Sequence, residues 1–378
     1  MPWFGFGFNV FGQLSKTEET VPSGGVRVLV PTRLSCCGSH EETPVERQEE
    51  RCPQVRASWS RRAVLHRRGD GPVCLSGFGT GPPSFVSRTK GCLDALVSER
   101  LLTLAFADRV ECWDMEGKTI WKMECSSPDT VALPLVPGGY VAADVPFYRP
   151  LSPQLCAHKL ALGTEHAVLL TAAGAVYTWG SGSHGQLGHG GLDSQAEPQV
   201  VEALWGLSMR DVAAGGWHSA CISAGGDLYV WGWNDRGQLG LPSRGLRAEQ
   251  QQRSSGAAGS GGMMREQDAN SDVFISIQAF PALVDLPQGS EVTRASCGSR
   301  HTAAVACTGD LYTWGWGDYG QLGQATPHSS DQPARVDYFT EQSLRVVDVV
   351  CGPWNTFVYT EEKKGAFVQL ESHPGAVR

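Results

Sequence analysis

The sequence predicts an all-β fold, a single β-propeller whose ring is closed by strands from both ends of the chain. Three observations predict it. One phrase is written three times in the second half: Tyr177-Thr-Trp-Gly ending in Gly185-Gln-Leu-Gly188, Tyr229-Val-Trp-Gly ending in Gly237-Gln-Leu-Gly240, and Tyr312-Thr-Trp-Gly ending in Gly320-Gln-Leu-Gly323. A related phrase, Phe4-Gly-Phe-Gly-Phe-Asn-Val-Phe-Gly12-Gln13-Leu14, stands at the start of the chain and lacks the lead-in of the others. That lead-in, Cys351-Gly-Pro-Trp-Asn-Thr-Phe-Val-Tyr359, stands at the far end and lacks a continuation. A unit begun by one end of the chain and finished by the other describes a closed ring.

Each unit reads apolar-x-x-Gly-x-x-His, an apolar strand, a turn, a strand ending Tyr-x-Trp-Gly, and Gly-Gln-Leu-Gly. The lead-in glycines are Gly163, Gly215, Gly298 and Gly352. Apart from one interval lengthened by an insertion, they recur every ~50 residues, which suits a blade of about four strands. In the first intact unit, Ala167-Val-Leu-Leu-Thr171 and Val176-Tyr-Thr-Trp179 flank Ala172-Ala-Gly174, which predicts a hairpin. The same hairpin recurs at Ser223–Asp227 and Cys307–Asp310. Strand alternation puts Tyr229, Trp231 and Trp233 on one sheet face, with Tyr312, Trp314, Trp316 and Phe4, Phe6, Phe8 as equivalents. Such faces fill the wedge between stacked blades, so Trp179, Trp231, Trp314 and Phe6 are read as packing residues; a stacking platform for bases is the sharper alternative. The histidines His166, His218 and His301 occur one per blade, and Asn355 and Arg61 occupy the same position elsewhere. That substitution pattern would be fatal to a metal site, so they are read as structural histidines bonding the blades.

The pattern Gly-x-x-His, then Tyr-x-Trp-Gly and Gly-Gln-Leu-Gly, resembles the regulator of chromosome condensation repeat family, whose members fold as seven-bladed propellers. The intact copies are placed at about 163–212, 215–296 and 298–350, and a split blade at 351–360 plus 1–35. Residues 55–160 depart from the pattern and are read as degenerate blades. Val55–Leu65 aligns with a lead-in, and Pro72–Gly77 with a second strand in which Ser76 replaces the Trp. Leu101–Ala105, Arg109–Trp113 and Gly117–Trp121 form three strands, and Val131–Leu135 with Tyr140–Asp144 one more short blade. The count alone gives six or seven blades; the resemblance selects seven. It leaves the whole chain, 1–378, as one domain and one monomeric ring with both ends tied in.

Composition narrows the function. A hydrophobic content of 41% supports a real core, and the 46 glycines, 22 prolines and 12 tryptophans fit many turns and aromatic strands. The net charge of −8 argues against polyanion binding by the molecule as a whole, so direct nucleic-acid contact is expected to be weak or absent. None of the 12 cysteines has CxxC spacing, and most fall in apolar strands, so reduced, buried thiols are expected. The adjacent Cys36 and Cys37 are the exposed exception. No secretory leader or membrane-length apolar run is seen, and a soluble intracellular protein follows. No nucleophile elbow, phosphate loop, zinc motif or telling carboxylate pair is present, which points away from an enzyme and from any cofactor.

Three segments are candidates for recognition. The insertion at 241–273 is rich in Gln, Ser, Gly and Arg and reads as a disordered loop. Arg61, Arg62, Arg67 and Arg68 form a basic run that could meet phosphate or an acidic protein, or be a solvated strand edge. The proline-stiffened Pro146–Pro153 would display Tyr148, Arg149 and Pro150 to a partner, or serve as a plain connector. The resemblance implies a chromatin-linked scaffold that holds a protein partner such as a chromatin-modifying enzyme. It also implies a nuclear, chromosome-associated location with some protein in the cytoplasm. Its alternative implication is guanine-nucleotide exchange on a Ran-like GTPase.

Overall fold

In a computed structural model, seven antiparallel sheets stand around a common axis as a seven-bladed propeller. The structure describes residues 2–14, 26–34, 54–65, 73–78, 88–125, 132–248 and 273–363. The closing blade has the strand order Arg27–Arg33, Trp3–Phe8, Asn355–Glu362, Leu344–Cys351. Its central pairing is antiparallel, with Trp3 opposite Tyr359, Gly5 opposite Phe357 and Gly7 opposite Asn355. The two ends of the chain therefore share one sheet, as the torn repeat demands.

The second blade has three described strands, Gln54–Ala57, Arg61–Leu65 and Val73–Gly77. The third has four, Asp94–Val97, Leu101–Ala105, Arg109–Asp114 and Thr119–Glu124. The fourth is short, with Leu135–Val136, Gly139–Val141 and Tyr148–Pro150. The intact repeats build four strands each: the fifth blade runs from Ala157–Leu162 to Gln195–Val200, the sixth from Met209–Ala214 to Ile277–Val284, and the seventh from Val292–Cys297 to Ser330–Arg335. Each first strand precedes the lead-in glycine, so the sequence repeat is offset from the blade. The closing blade consequently begins at Leu344 rather than 351.

The core is a set of clusters between neighbouring blades rather than one central mass. Trp231 packs with Val168, Leu170 and Val176 of the preceding blade. Trp314 packs likewise with Ile222, Val230 and Leu239. Phe6, at the equivalent position in the closing blade, meets Ala303, Val305 and Leu311. Trp179 packs with Tyr140 of the fourth blade and donates its indole N–H to the Tyr140 hydroxyl at 3.2 Å. Each aromatic wedge thus fills the gap between blades, which is why the repeat carries it.

Two expectations need correction here. The insertion does not begin as a disordered loop: Ser243 and Leu246 are buried, and the Ser243 amide donates to Asp331 at 2.9 Å. Ser243 Oγ also donates to the Asp235 carbonyl at 2.9 Å, so the turn is tied to its own blade and to the seventh; residues 249–272 lie outside the described residues. Cys74 is disulfide-bonded rather than reduced. Eight other cysteines are free among the described residues, so its partner lies outside them, as do Cys36 and Cys37.

Candidate functional site

The histidines fall at the start of each blade's second strand, fully enclosed. His166 Nε2 meets Ser219 Oγ of the next blade at 2.9 Å, His218 meets Thr302 Oγ1 at 2.9 Å, and His301 meets Thr356 Oγ1 at 3.0 Å. Each hydroxyl in turn donates to the backbone carbonyl of a Gly-Gln-Leu-Gly turn: Ser219 to Gln186 at 2.8 Å, Thr302 to Gln238 and Thr356 to Gln321, both at 2.7 Å. With its hydrogen committed to that carbonyl, the hydroxyl can only accept from the ring, so Nε2 carries the proton. Burial pushes these imidazoles down, His166 to about 4 and His218 and His301 to about 3, and holds them neutral. Gly215 is needed beside this device, because a Cβ there would lie 2.5 Å from the His218 ring.

Arg61 occupies the histidine position of the second blade and does the same work with a longer arm. It is 4% exposed and donates to the carbonyls of Phe78 at 2.6 Å and of Ser98 at 3.2 Å, and to that of Glu99. Ser98 and Glu99 belong to the turn of the next blade. Arg62 is also 4% exposed and donates to Ser76 Oγ at 3.2 Å, where the repeat has its Trp in other blades. The expected basic patch therefore does not form from these two: the strand that holds them is buried throughout. Arg67 and Arg68 lie outside the described residues.

The Pro146–Pro153 segment is part of a blade rather than a free extended element, with Pro146, Pro150, Ser152 and Pro153 exposed. Tyr148–Pro150 is the last strand of the fourth blade, with Arg149 opposite Tyr140 and Tyr148 opposite Val141. Tyr148 packs into the cluster shared with the third blade, and Tyr148 and Arg149 are half-buried. Pro150 is exposed. Proline is tolerated at this sheet edge, which explains how the segment enters a blade at all.

What the structure does assemble on one face was not singled out in the sequence. A cavity of about 780 Å³ opens at the axis, lined by segments 57–59, 97–101, 143–145, 162–164, 214–216, 297–299 and 351–353, one from each blade. From Trp59 in its lining extends an arc of aromatic rings that includes Trp217 and Trp354, each just before the histidine position of its blade, and Trp233, Trp316 and Phe8, each just after the strand glycine. Trp217 meets Trp233 with ring centroids 5.6 Å apart. The Arg300 guanidinium lies over Trp233 at 4.6 Å and within 5.9 Å of Trp316. Trp316 meets Trp354 at 5.7 Å, and Tyr319 stacks on Trp354 at 5.1 Å with an interplanar angle of 7°. Phe8 and Trp59 continue the arc from Trp354, followed by Phe11 and Phe78. Trp59 and Phe78 are exposed, at 39% and 61%, and Trp217, Trp233, Trp316, Tyr319 and Trp354 are half-buried.

Strand alternation predicted that Trp233, Trp316 and Phe8 would pack between blades with the rest of their strands. They leave that face because the glycine before each carries a bulge. At Gly232 φ is +111°, the pairing register shifts between Val230 and Gly232, and a Cβ would lie 2.5 Å from the Trp217 carbonyl. A bulge re-aims the following side chain, here from the wedge onto the propeller face.

Among the described residues no cluster of His, Cys, Asp and Glu could hold a metal, and no helix is long and apolar enough to cross a membrane. The face instead offers aromatic area, a few charged groups and a backbone-lined hollow, which is the chemistry of binding a protein segment.

Comparison with known proteins agrees with the architecture. Matches to the Regulator of chromosome condensation (RCC1) repeat cover residues 173–222, 225–305 and 308–359. The human RCC1 domain-containing protein 1 is 44% identical over 393 aligned residues, covering 96% of this chain and 97% of that protein. Its mouse counterpart is 43% identical over 390 residues, with the same coverage. Among solved structures, Prp20p from Saccharomyces cerevisiae, described with its binding properties to Gsp1p and histones, superposes with a TM-score of 0.67 at 16% identity. That match covers 96% of this chain and 92% of Prp20p, and it shows the shared fold. With the repeats, the ring and relatives matched over nearly their full length, the chain belongs to the Regulator of chromosome condensation (RCC1) repeat family.

Proposed function

We propose that the protein is a non-enzymatic interaction scaffold, a rigid ring that holds a chromatin-associated protein partner on the aromatic face around its central cavity. The observation that carries this reading is the arc of aromatic rings spanning the sixth, seventh, closing and second blades. Contiguous apolar surface on a stiff scaffold marks a protein-interaction site, and tryptophan, tyrosine and arginine are the residues that dominate such interfaces. The family's link to chromosome condensation and the histone binding named for Prp20p support a chromatin setting. A nuclear location and a role in chromosome organisation or segregation, with a chromatin-modifying enzyme as the partner, go with that reading. A pull-down from nuclear extract tests it, comparing the wild-type chain with Trp59→Ser/Phe78→Ser and with a distant surface control, Glu124→Gln. Loss of specific partners with the first variant alone is the expected result. An unchanged partner set would remove this face from the function.

Guanine-nucleotide exchange on a Ran-like GTPase is the second reading, supported by the binding of the similarly folded Prp20p to Gsp1p. It requires that the chain accelerate nucleotide release from such a GTPase in purified form. Release at the uncatalysed rate removes it.

A further inference from the structure

The repeat writes the same niche twice on the aromatic face, once filled by the chain's own arginine and once with a tryptophan at the arginine position. In the filled copy, between the sixth and seventh blades, the walls are Trp233 and Trp316 and the anion is Asp235. The occupant is the chain's own Arg300, whose guanidinium lies over Trp233 and donates to Asp235 Oδ2 at 3.2 Å. In the next copy, between the seventh and closing blades, Trp316 and Asp318 stand where Trp233 and Asp235 stand. Trp354 takes the position of the arginine, just before Asn355 as Arg300 stands before His301. The aspartate is retained while its cation is gone. Asp318 Oδ1 is buried and finds no hydrogen-bond partner among the described residues, and neither does the buried Trp316 Nε1. The rings around them, Trp316, Tyr319 and Trp354, are in mutual contact. Among the described residues the cations in ring contact there are Arg27, 5.7 Å from the Tyr319 centroid, and Arg300, 5.9 Å from that of Trp316 and already paired with Asp235.

We infer that this second niche binds an arginine side chain of a partner protein, which pairs with Asp318 as Arg300 pairs with Asp235 in the first. A carboxylate oxygen buried without a hydrogen-bond partner is costly, and a guanidinium offsets that cost by pairing with it while lying on electron-rich indole faces. The orphaned Trp316 N–H would be met by a main-chain carbonyl of the same segment. Arginine suits the niche better than lysine because the filled copy uses the planar guanidinium for stacking and pairing together. The adjoining niche is apolar, with Val10 at the aspartate position and Trp59 and Phe78 beside it, so the segment carries an apolar side chain near its arginine.

This inference rests on the scaffold reading and deepens it. The probe is a fluorescein-labelled Gly/Ser peptide with one arginine and a nearby leucine, followed by fluorescence anisotropy with the full chain. Citrulline in place of arginine should weaken binding by about tenfold or more, the usual effect of losing one charged partner in a desolvated pair. Asp318→Asn should do the same, and Glu124→Gln, which removes a charge far from the niche, should leave affinity unchanged. Trp354→Arg rebuilds the filled copy, so it should abolish peptide binding and leave the melting temperature no lower than that of the wild type. Arg27→Ala should bind at least as well as the wild type. Equal affinity for the citrulline peptide, full affinity in Asp318→Asn, or no saturable binding would overturn the assignment. So would self-association of the chain through this face that Trp354→Arg abolishes without any peptide binding by the wild type. Should Trp354→Arg keep its nuclear partners while the peptide binds the wild type, the niche stands and the partner reading falls. Should the peptide fail while partners still depend on Trp59 and Phe78, the reverse holds.

Discussion

His218 and His301 show how one side chain ties two blades. The ring donates through Nε2 to a hydroxyl of the next blade, and that hydroxyl closes the Gly-Gln-Leu-Gly turn. Their acid behaviour follows from burial. The unfolded chain protonates its histidines near 6.5, whereas the folded rings hold out to about 4 for His166 and about 3 for the other two. Folding stability from these groups is therefore complete above the unfolded value and is lost as pH falls from about 6.5 towards 3–4. Urea midpoints measured across that range should drop, and His218→Gln/His301→Gln should flatten the drop while lowering stability at pH 8. A wild-type midpoint unchanged between pH 7 and 4 would contradict the neutral-histidine account. Arg61 supports the ring in the same manner, so Arg61→Ala should cost about 2–4 kcal/mol in urea unfolding, since it strands buried carbonyls. The sequence showed that Arg61 fills a histidine position; its burial was hidden because a degenerate blade offers no apolar alternation to mark which face is covered.

At the scale of the element, the Tyr-x-Trp-Gly strand carries two jobs separated by one glycine. Before the glycine, Trp231 fills the wedge and donates its indole N–H to the Gln186 carbonyl at 2.8 Å. That carbonyl also accepts from Ser219, so the turn of one blade is stapled twice to the next. After the glycine, Trp233 belongs to the aromatic arc on the propeller face. Trp231→Phe should therefore cost about 1–2 kcal/mol for the lost bond and reduced fit, and leave partner binding intact. Gly232→Ala should cost about 2–4 kcal/mol, because a residue with a Cβ is strained at that φ and meets the Trp217 carbonyl. The closing blade already shows the first change in natural form, with Phe6 as the wedge and Thr356 as the donor to Gln321. A stability loss of equal size in the two variants would refute the bulge as the more demanding feature. The hairpins and wedges were legible because alternation and glycine turns are local signals. The arc was not, because a bulge breaks alternation at the residue that matters, and because residues distant in sequence meet there only through the ring. The Tyr148–Pro150 strand was missed for the opposite reason, since proline argues against a strand except at an edge that only the sheet order reveals.

For the whole molecule, the torn repeat becomes a mechanical statement. Trp3–Phe8 lies between Arg27–Arg33 and Asn355–Glu362, so a single strand from one end supplies two of the closing blade's three seams. Every residue of that strand is buried, and its side chains face different neighbours: Trp3 meets Tyr359, Phe4 meets Phe339, and Phe6 fills the wedge beside the seventh blade. Four large aromatic side chains lost from such sites forfeit about 6–12 kcal/mol, at roughly 1.5–3 kcal/mol each. That is the size of the entire stability of a typical domain, about 5–15 kcal/mol. Removing residues 1–14 should therefore do more than fray an edge. Phe357 and Val358, now fully covered, would face solvent, and the wedge against Ala303 and Leu311 would open. Because each blade is held by its neighbours, the opened seam should lower the melting temperature of the ring as a unit rather than add a small early transition. A synthetic peptide of residues 1–14 added in trans should raise the melting temperature again, since it restores the missing strand without changing the rest of the chain. A truncated chain that melts like the full one, with no response to the peptide, would show that the seven blades hold together without the strand that joins the two ends.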